Sequence, residues 1–395
     1  MGMNHEHEFS LAASSPCAAA CRIEPRPAAA AQVGRAVLAV AVSVLAACGG
    51  GGSPPADAQT GVPTTATPTP VTPPPAPPAP PTPPSVAGKV MLYLATSETT
   101  KTYDPYTGIT IDTSGPKIFR FVPELRLLDE VAWNSSASYA TDQLLPYTVD
   151  DRLFFVSGSP DTSPGQQRWM EADPLSTSST LGSQGRLLQD GAYQRGCGAV
   201  VGQRLFYQGR IHSDLFGTQY GDLRVVTLGV AGAASTRLLP RGDADQCRYH
   251  LNAAGGRLYD AEYDAGAGLI QLHRRSLESG RIVKTAPITV SDAADWGAFK
   301  FAFDDGVGYL ARRHRTDQRV QVWRLRFDAP QQVDLVYEAT VPDFNLAYLD
   351  SDDGYVLLAD GIGRKALVVD AHSGVAELHP LPFKFADPQI LHLRP

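Results

Sequence analysis

From Val86 to the C-terminus, apolar and polar residues alternate in short runs bounded by Gly, Asp and Asn. This is the period-two pattern of β-strands rather than the 3.6-residue period of helices. One combination recurs: a turn signal followed by an apolar run, as GKVMLYL, DDRLFFV, GQRLFYQ, GGRLYDA, DGVGYLA and DDGYVLLA. The first apolar residues of these runs, Val90, Leu153, Leu205, Leu258, Tyr309 and Tyr355, stand 46 to 63 residues apart, a period near fifty. Each unit continues into a second run (KIFRFV, QRWMEAD, DLRVVTL, LIQLHRRS, VQVWRLRF, KALVVDA) and then a shorter one (GRLLQD, STRLLP, GRIVKTA, VAELHPL). A further run precedes the turn signal, as in LLPYTVD, CGAVVG, GAFKFAFD and LAYLDSD. Each unit therefore predicts four short strands. The pairs Asp150-Asp151, Gly255-Gly256, Asp305-Gly306 and Asp353-Gly354 supply the tight turns between antiparallel neighbours.

Four-stranded units repeating every 40 to 50 residues resemble the β-propellers, whose radial closure limits exposed sheet edges. The resemblance is architectural. The chain carries no WD dipeptide, kelch glycine doublet or quinone-binding repeat signature, so it points to no named propeller family. The expectation is an all-β chain with a six-bladed β-propeller over residues 86–395. The first unit begins with its second strand, and the chain ends in a spare strand, PQILHLR. Pairing the two would close the ring. A pair of β-sandwiches would leave the regular spacing unexplained, and a β-solenoid repeats at a shorter period.

The residues before this domain are of two other kinds. Ala36–Ala47 reads AVLAVAVSVLAA, an apolar run preceded by Arg35, matching the core of an export signal and shorter than the roughly 20 residues that span a bilayer. At its end, Leu45, Ala46, Ala47 and Cys48 resemble the bacterial lipobox. That resemblance implies that residues 1–47 are an export signal and that Cys48 is acylated and begins the mature protein. Gly49 stands where an aspartate would favour retention in the inner membrane, so the resemblance implies an outer-membrane lipoprotein of the cell envelope, facing the periplasm or the surface. The head before Ala36 is long for a signal and contains His5, Glu6, His7 and Glu8, which predicts a true translation start at Val33. Residues 48–85 form the lipidated cysteine and a tether. From Ser53 to Ser85, 14 of 33 residues are proline, which fixes φ and favours an extended spacer.

Composition narrows the function. The chain of 395 residues is 43% hydrophobic and 19% charged, enough for a packed core, and its net charge of −7 lacks the basic excess that nucleic acid requires. Of the cysteines Cys17, Cys21, Cys48, Cys197 and Cys247, the last two remain after the export segment and are expected to form a disulfide in an oxidising compartment.

The repeat register puts acidic residues before the inner strands: Asp142, Asp190, Asp243 with Asp245, Asp292 with Asp295, Asp343 and Asp387. The plain reading is that Asp favours turns. The sharper one is a carboxylate ring that binds Ca²⁺, with Asp245, Asp295 and Asp343 as candidate metal ligands; no other cofactor is expected. Beside them Tyr193, Tyr249, Trp296 and Phe344 either pack between blades or line a rim for sugars and peptides. The expected binding face thus comprises Asp142, Asp190, Asp243, Asp245, Asp295, Trp296, Asp343 and Phe344. His250 and His392 fall on inner strands, where a hydrogen-bonded role outweighs a metal-binding one. DSDDG at 350–354 is one residue short of calcium-loop spacing and reads as a hairpin turn. Arg241-Gly242-Asp243 matches an adhesion tripeptide, at a length that chance supplies readily. The sequence contains no G-x-S-x-G, HExxH, P-loop or CxxC motif. The leading expectation is a non-enzymatic, membrane-anchored module that binds or scaffolds an envelope protein, peptide or glycan. The alternative is a metal-assisted hydrolase or lyase at an acidic propeller mouth.

Overall fold

Apolar residues on both faces of a strand demand cover on both faces, and a ring of sheets stacked side by side supplies it. The computed structural model describes residues 84–394 except 97–100, 105, 107, 109, 113–114, 134–143, 158–167, 177–184, 191–197, 214–216, 231, 241–250, 265–267, 290–294, 328 and 330–331. Six four-stranded antiparallel sheets form a propeller-like ring. Among the described residues, the small hairpin of Lys101–Tyr103 with Thr110–Asp112 and one 3-10 turn, Pro123–Leu125, stand beside them.

In blades two to six the chain runs from the innermost strand outward. The inner strands are Leu144–Val149, Gly198–Val201, Asn252–Ala254, Trp296–Asp304 and Tyr348–Asp352. Blade one differs, as expected from the spare terminal strand. Its inner strand is Phe385–His392, paired antiparallel with Val90–Thr96 so that Val90 faces His392 and Leu92 faces Ile390. Lys117–Val122 and Leu127–Trp133 complete that sheet. The two ends of the domain therefore share one blade.

The core lies between blades. Val90–Thr96 is buried along nearly its whole length because its faces serve two interfaces. Met91 and Tyr93 pack toward blade two with Leu153 and Phe155, whereas Leu92 and Leu94 pack toward blade six with Leu357 and Ala359. Similar clusters fill the other four interfaces, including Phe344 between blades five and six and Tyr259 with Phe303 between four and five. The outermost strands have less to cover them; Val333–Thr340 has no fully buried position.

The turns behave as their sequences predict. Asp353 and Gly354 both take positive φ, 47° and 81°, as do Gly255 and Gly256, at 53° and 70°. Two consecutive left-handed residues match the right-handed twist of a two-residue hairpin. DSDDG is thus a strand end and a turn.

The expected Cys197–Cys247 disulfide is corrected: no cysteine pair lies at disulfide distance. Both residues lie outside the described residues. A disulfide needs Cα atoms within about 4.4 to 6.8 Å. Blades three and four are separate sheets, so no backbone ladder imposes that spacing where their inner strands begin.

Candidate functional site

Each inner strand has one edge paired within its blade and one edge turned to the centre, so its outward amides need acceptors from elsewhere. Side chains of the preceding blade provide several. Ile390 N–H donates to Asp350 Oδ2 at 2.8 Å and His392 N–H to Asp352 Oδ2 at 2.6 Å, joining blade one to blade six. Gly354 N–H donates to Asp304 Oδ2 at 2.8 Å, joining six to five. Thr148 N–H donates to Gln389 Oε1 at 3.2 Å, and Val200 N–H to the Tyr147 hydroxyl at 3.2 Å. Asp353 completes the closure by accepting from His392 Nδ1 at 2.8 Å and from the Arg394 guanidinium.

The inner strands surround a central cavity of about 310 Å³ lined by residues of all six blades. One end is set by the connections that enter the inner strands, and the other by the hairpins that leave them. The hairpin end is acidic, with Asp150, Asp304, Asp350 and Asp352 among its lining residues. Burial pushes the Asp350 carboxyl up to about 7, against the amides of Ile390 and Ser351 that favour its charged form, and nearby Asp304 adds to the rise. Burial likewise pushes Asp352 up to about 8, with Asp304, Asp350 and Asp151 adding to it and the His392 amide opposing it. At neutral pH part of this acidity is therefore held as carboxylic acid. The Arg394 guanidinium holds Asp353 below the usual carboxylate range.

Toward the entry end the lining contains Lys300, Phe301 and Tyr348, with Trp169 reached from the third strand of blade two. Burial lowers the Lys300 ammonium. Among the described residues Lys300 has no hydrogen-bond or ion-pair partner. Trp169 is 0% exposed and, among the described residues, its indole N–H has no acceptor and the buried Ser351 hydroxyl oxygen no partner.

The residues singled out from sequence fall in several places. Cys48, Asp142, Asp243, Asp245, Asp292, Tyr193, Tyr249 and His250 lie outside the described residues, as does the 241–243 tripeptide. Asp190 ends the outermost strand of blade two. Asp295 is exposed just before the inner strand of blade five, and its carbonyl accepts from Arg315 N–H at 3.0 Å. Trp296 is 4% exposed, with the Arg312 guanidinium carbon 4.0 Å from its ring centroid and the His314 ring 5.0 Å away edge-on. Phe344 is 0% exposed. Both aromatics have the packing role. Asp343 is exposed at φ 52°, its N–H donating to Gln318 Oε1 at 2.7 Å. Asp387 lines the cavity. Among the described residues no three His, Cys, Asp or Glu side chains are grouped to hold a metal, so Asp295 and Asp343 have no such group there.

Lys300 and Asp304 were not singled out in the sequence, and Asp350 and Asp352 entered there only within DSDDG, read as a hairpin turn. Their signal is charge within an apolar alternation, GAFKFAFD and LAYLDSD, at positions the repeat assigns to inner strands. A charged residue in such a strand is informative because it must face a partner or a cavity.

No protein-family model matches the chain, and no curated protein matches it. Solved structures do. The chain is similar to one from a nidogen/laminin complex at 10% identity and TM-score 0.44, over 78% of this chain and 100% of that one. It is similar to AztD of Citrobacter koseri at 11% identity and TM-score 0.37, over 77% and 98%. An oligogalacturonate lyase in complex with manganese aligns at 10% identity and TM-score 0.39, over 75% and 86%. The class defined by the fold is the six-bladed β-propeller.

Proposed function

We propose that this chain is a lipid-anchored module of the cell envelope that binds or scaffolds a protein, peptide or glycan through the centre of its propeller. Cys48 carries the lipid, residues 48–85 hold the head away from the outer membrane, and the propeller presents the binding face. The observation that carries this reading is the central cavity of about 310 Å³, where six blades bring apolar, cationic and acidic side chains together. Its size lies at the lower end of ligand pockets, and its mix of aromatic wall and few charges is that of a recognition site. The metal-assisted hydrolase reading has no ligand set among the described residues.

The test is affinity capture from solubilised envelopes with the full lipidated chain, wild type against Ala347→Trp. Ala347 lines the cavity and is half-buried, so the indole fills the channel. Partners retained by wild type and lost by the variant, with unchanged melting, are the expected result. An identical partner set for both proteins overturns the channel as the binding site.

A further inference from the structure

The strands of a blade alternate in direction, so the turn between the third and the outermost strand lies at the same end of the ring as the hairpin between the first two. In four of the blades an apolar side chain stands exposed at that outer turn. Leu175 follows Arg168–Ala172 in blade two, Val230 follows Gly217–Thr227 in blade three, Ile282 opens the outermost strand of blade four, and Val375 precedes that of blade six. They are 39 to 67% exposed. Turn tips ordinarily carry Gly, Pro, Asn, Asp or Ser. The connections at the opposite end follow that habit in sequence, as NSSASYATDQ, GSPDTSPGQQ and RGDADQCRYH.

Each of these turns is closed by a backbone hydrogen bond: Ser176 N–H to the Asp173 carbonyl at 3.0 Å, Ala233 N–H to Val230 at 3.1 Å, Gly280 N–H to Ser276 at 2.9 Å and Gly374 N–H to Asp370 at 2.8 Å. Tips formed in advance lose little freedom when a surface covers them. The acids of the channel mouth lie nearer the axis, inside this apolar rim. The same end also receives the chain. Gly88 N–H donates to the Leu393 carbonyl at 3.0 Å and Val90 pairs with His392, so the segment that precedes the propeller joins it at the hairpin end. An anchor on that segment reaches the apolar rim without passing round the ring.

We propose that the hairpin face is a membrane-docking surface, with Leu175, Val230, Ile282 and Val375 entering the headgroup region of the bilayer that holds the lipid anchor. This inference rests on the anchor at Cys48 and adds a second position for the head, which lies on the bilayer when it is not extended on its tether toward a partner. Four separate side chains bury too little area to hold a free protein on a membrane. A tether keeps the head at high effective concentration over the surface, where such weak contacts suffice. In the docked position the acidic mouth is covered and the channel opens at its entry end.

The experiment places the lipidated full chain in vesicles of phosphatidylethanolamine and phosphatidylcholine with brominated acyl chains, which quench tryptophan at short range. Val230→Trp and Val375→Trp report the hairpin face. Ile362→Trp, at a position 75% exposed between the second and third strands of blade six, reports the opposite one. After subtraction of the wild-type signal, quenching of about twofold is expected for Val230→Trp and Val375→Trp and none for Ile362→Trp. Adding Leu175→Asp and Ile282→Asp to Val375→Trp abolishes its quenching while the chain still floats with the vesicles. Equal quenching of all three variants, no quenching in a chain that floats, or quenching that survives the two aspartates overturns the docking face and leaves the anchor standing. A wild-type chain that does not float overturns the anchor, and the docking face with it.

Discussion

At the scale of single residues, the acids of the blade six to blade one seam decide how stability follows pH. Asp350 and Asp352 titrate at about 7 and about 8 in the folded chain, against 3.8 for an ordinary aspartate. The folded state then holds more protons than the unfolded chain between those values, so stability falls as pH rises from about 4 to about 8. Both residues are half-buried rather than fully enclosed, which moderates the cost, leaving about 1–2 kcal/mol for each. Asp350→Asn and Asp352→Asn keep an acceptor for the Ile390 and His392 amides without the charge. Melting curves should therefore show each variant several degrees above wild type at pH 8.5 and level with it at pH 4.5. A gain that is equal at both pH values would show that burial of charge is not its source. Gly361 is a second single-residue case. A Cβ there would meet the Phe385 carbonyl oxygen at 2.0 Å, a backbone atom that cannot swing aside. Gly361→Ala should cost more than about 2 kcal/mol in denaturant unfolding, because blade six must move away from blade one.

At the scale of elements, the closing strand is the most consequential. Phe385–His392 pairs with Val90–Thr96, and its amides also use the carboxylates of blade six. Deleting Ile390–Pro395 removes the partners of Val90, Met91 and Leu92 and takes Ile390 and Leu391 from two separate cores. Each buried side chain of that size contributes about 2–5 kcal/mol when truncated. The truncated chain should melt more than 10 °C lower, or fail to fold, in thermal scans followed by far-UV circular dichroism. A melting temperature within 2 °C of wild type would mean that the ring does not depend on this closure.

At the scale of the whole molecule, the proposal joins three parts with different physics: an acyl anchor, a proline-rich tether and a propeller. Each buried methylene contributes about 0.8 kcal/mol, so several acyl chains on one cysteine hold a folded head at a membrane without a spanning helix. Cys48→Ser should shift the full chain from the membrane pellet to the soluble envelope fraction while leaving the melting of the propeller unchanged. Fractionation that finds both proteins in the pellet would sink lipidation as the anchor.

The sequence by itself determined the architecture, because that depends on local rules repeated along the chain. Alternation at period two marks strands, Asp-Gly and Gly-Gly mark hairpins, and a period near fifty over residues 86–395 requires about six units. Even the closing role of PQILHLR follows from counting strands. The site was legible only in part. The acids before the inner strands were visible, yet turn chemistry alone accounts for Asp there. Trp296 and Phe344 could either pack between blades or line a rim, because sequence does not tell which side of a connection faces a neighbouring blade. The tertiary structure decided that both are buried, and it placed the cavity acids at the hairpin ends, in Asp304, Asp350 and Asp352. The reason is physical. A strand pattern fixes which residues share a face, whereas burial, carboxylate pKa and the pairing of an inner edge arise only when six separate sheets converge on one axis.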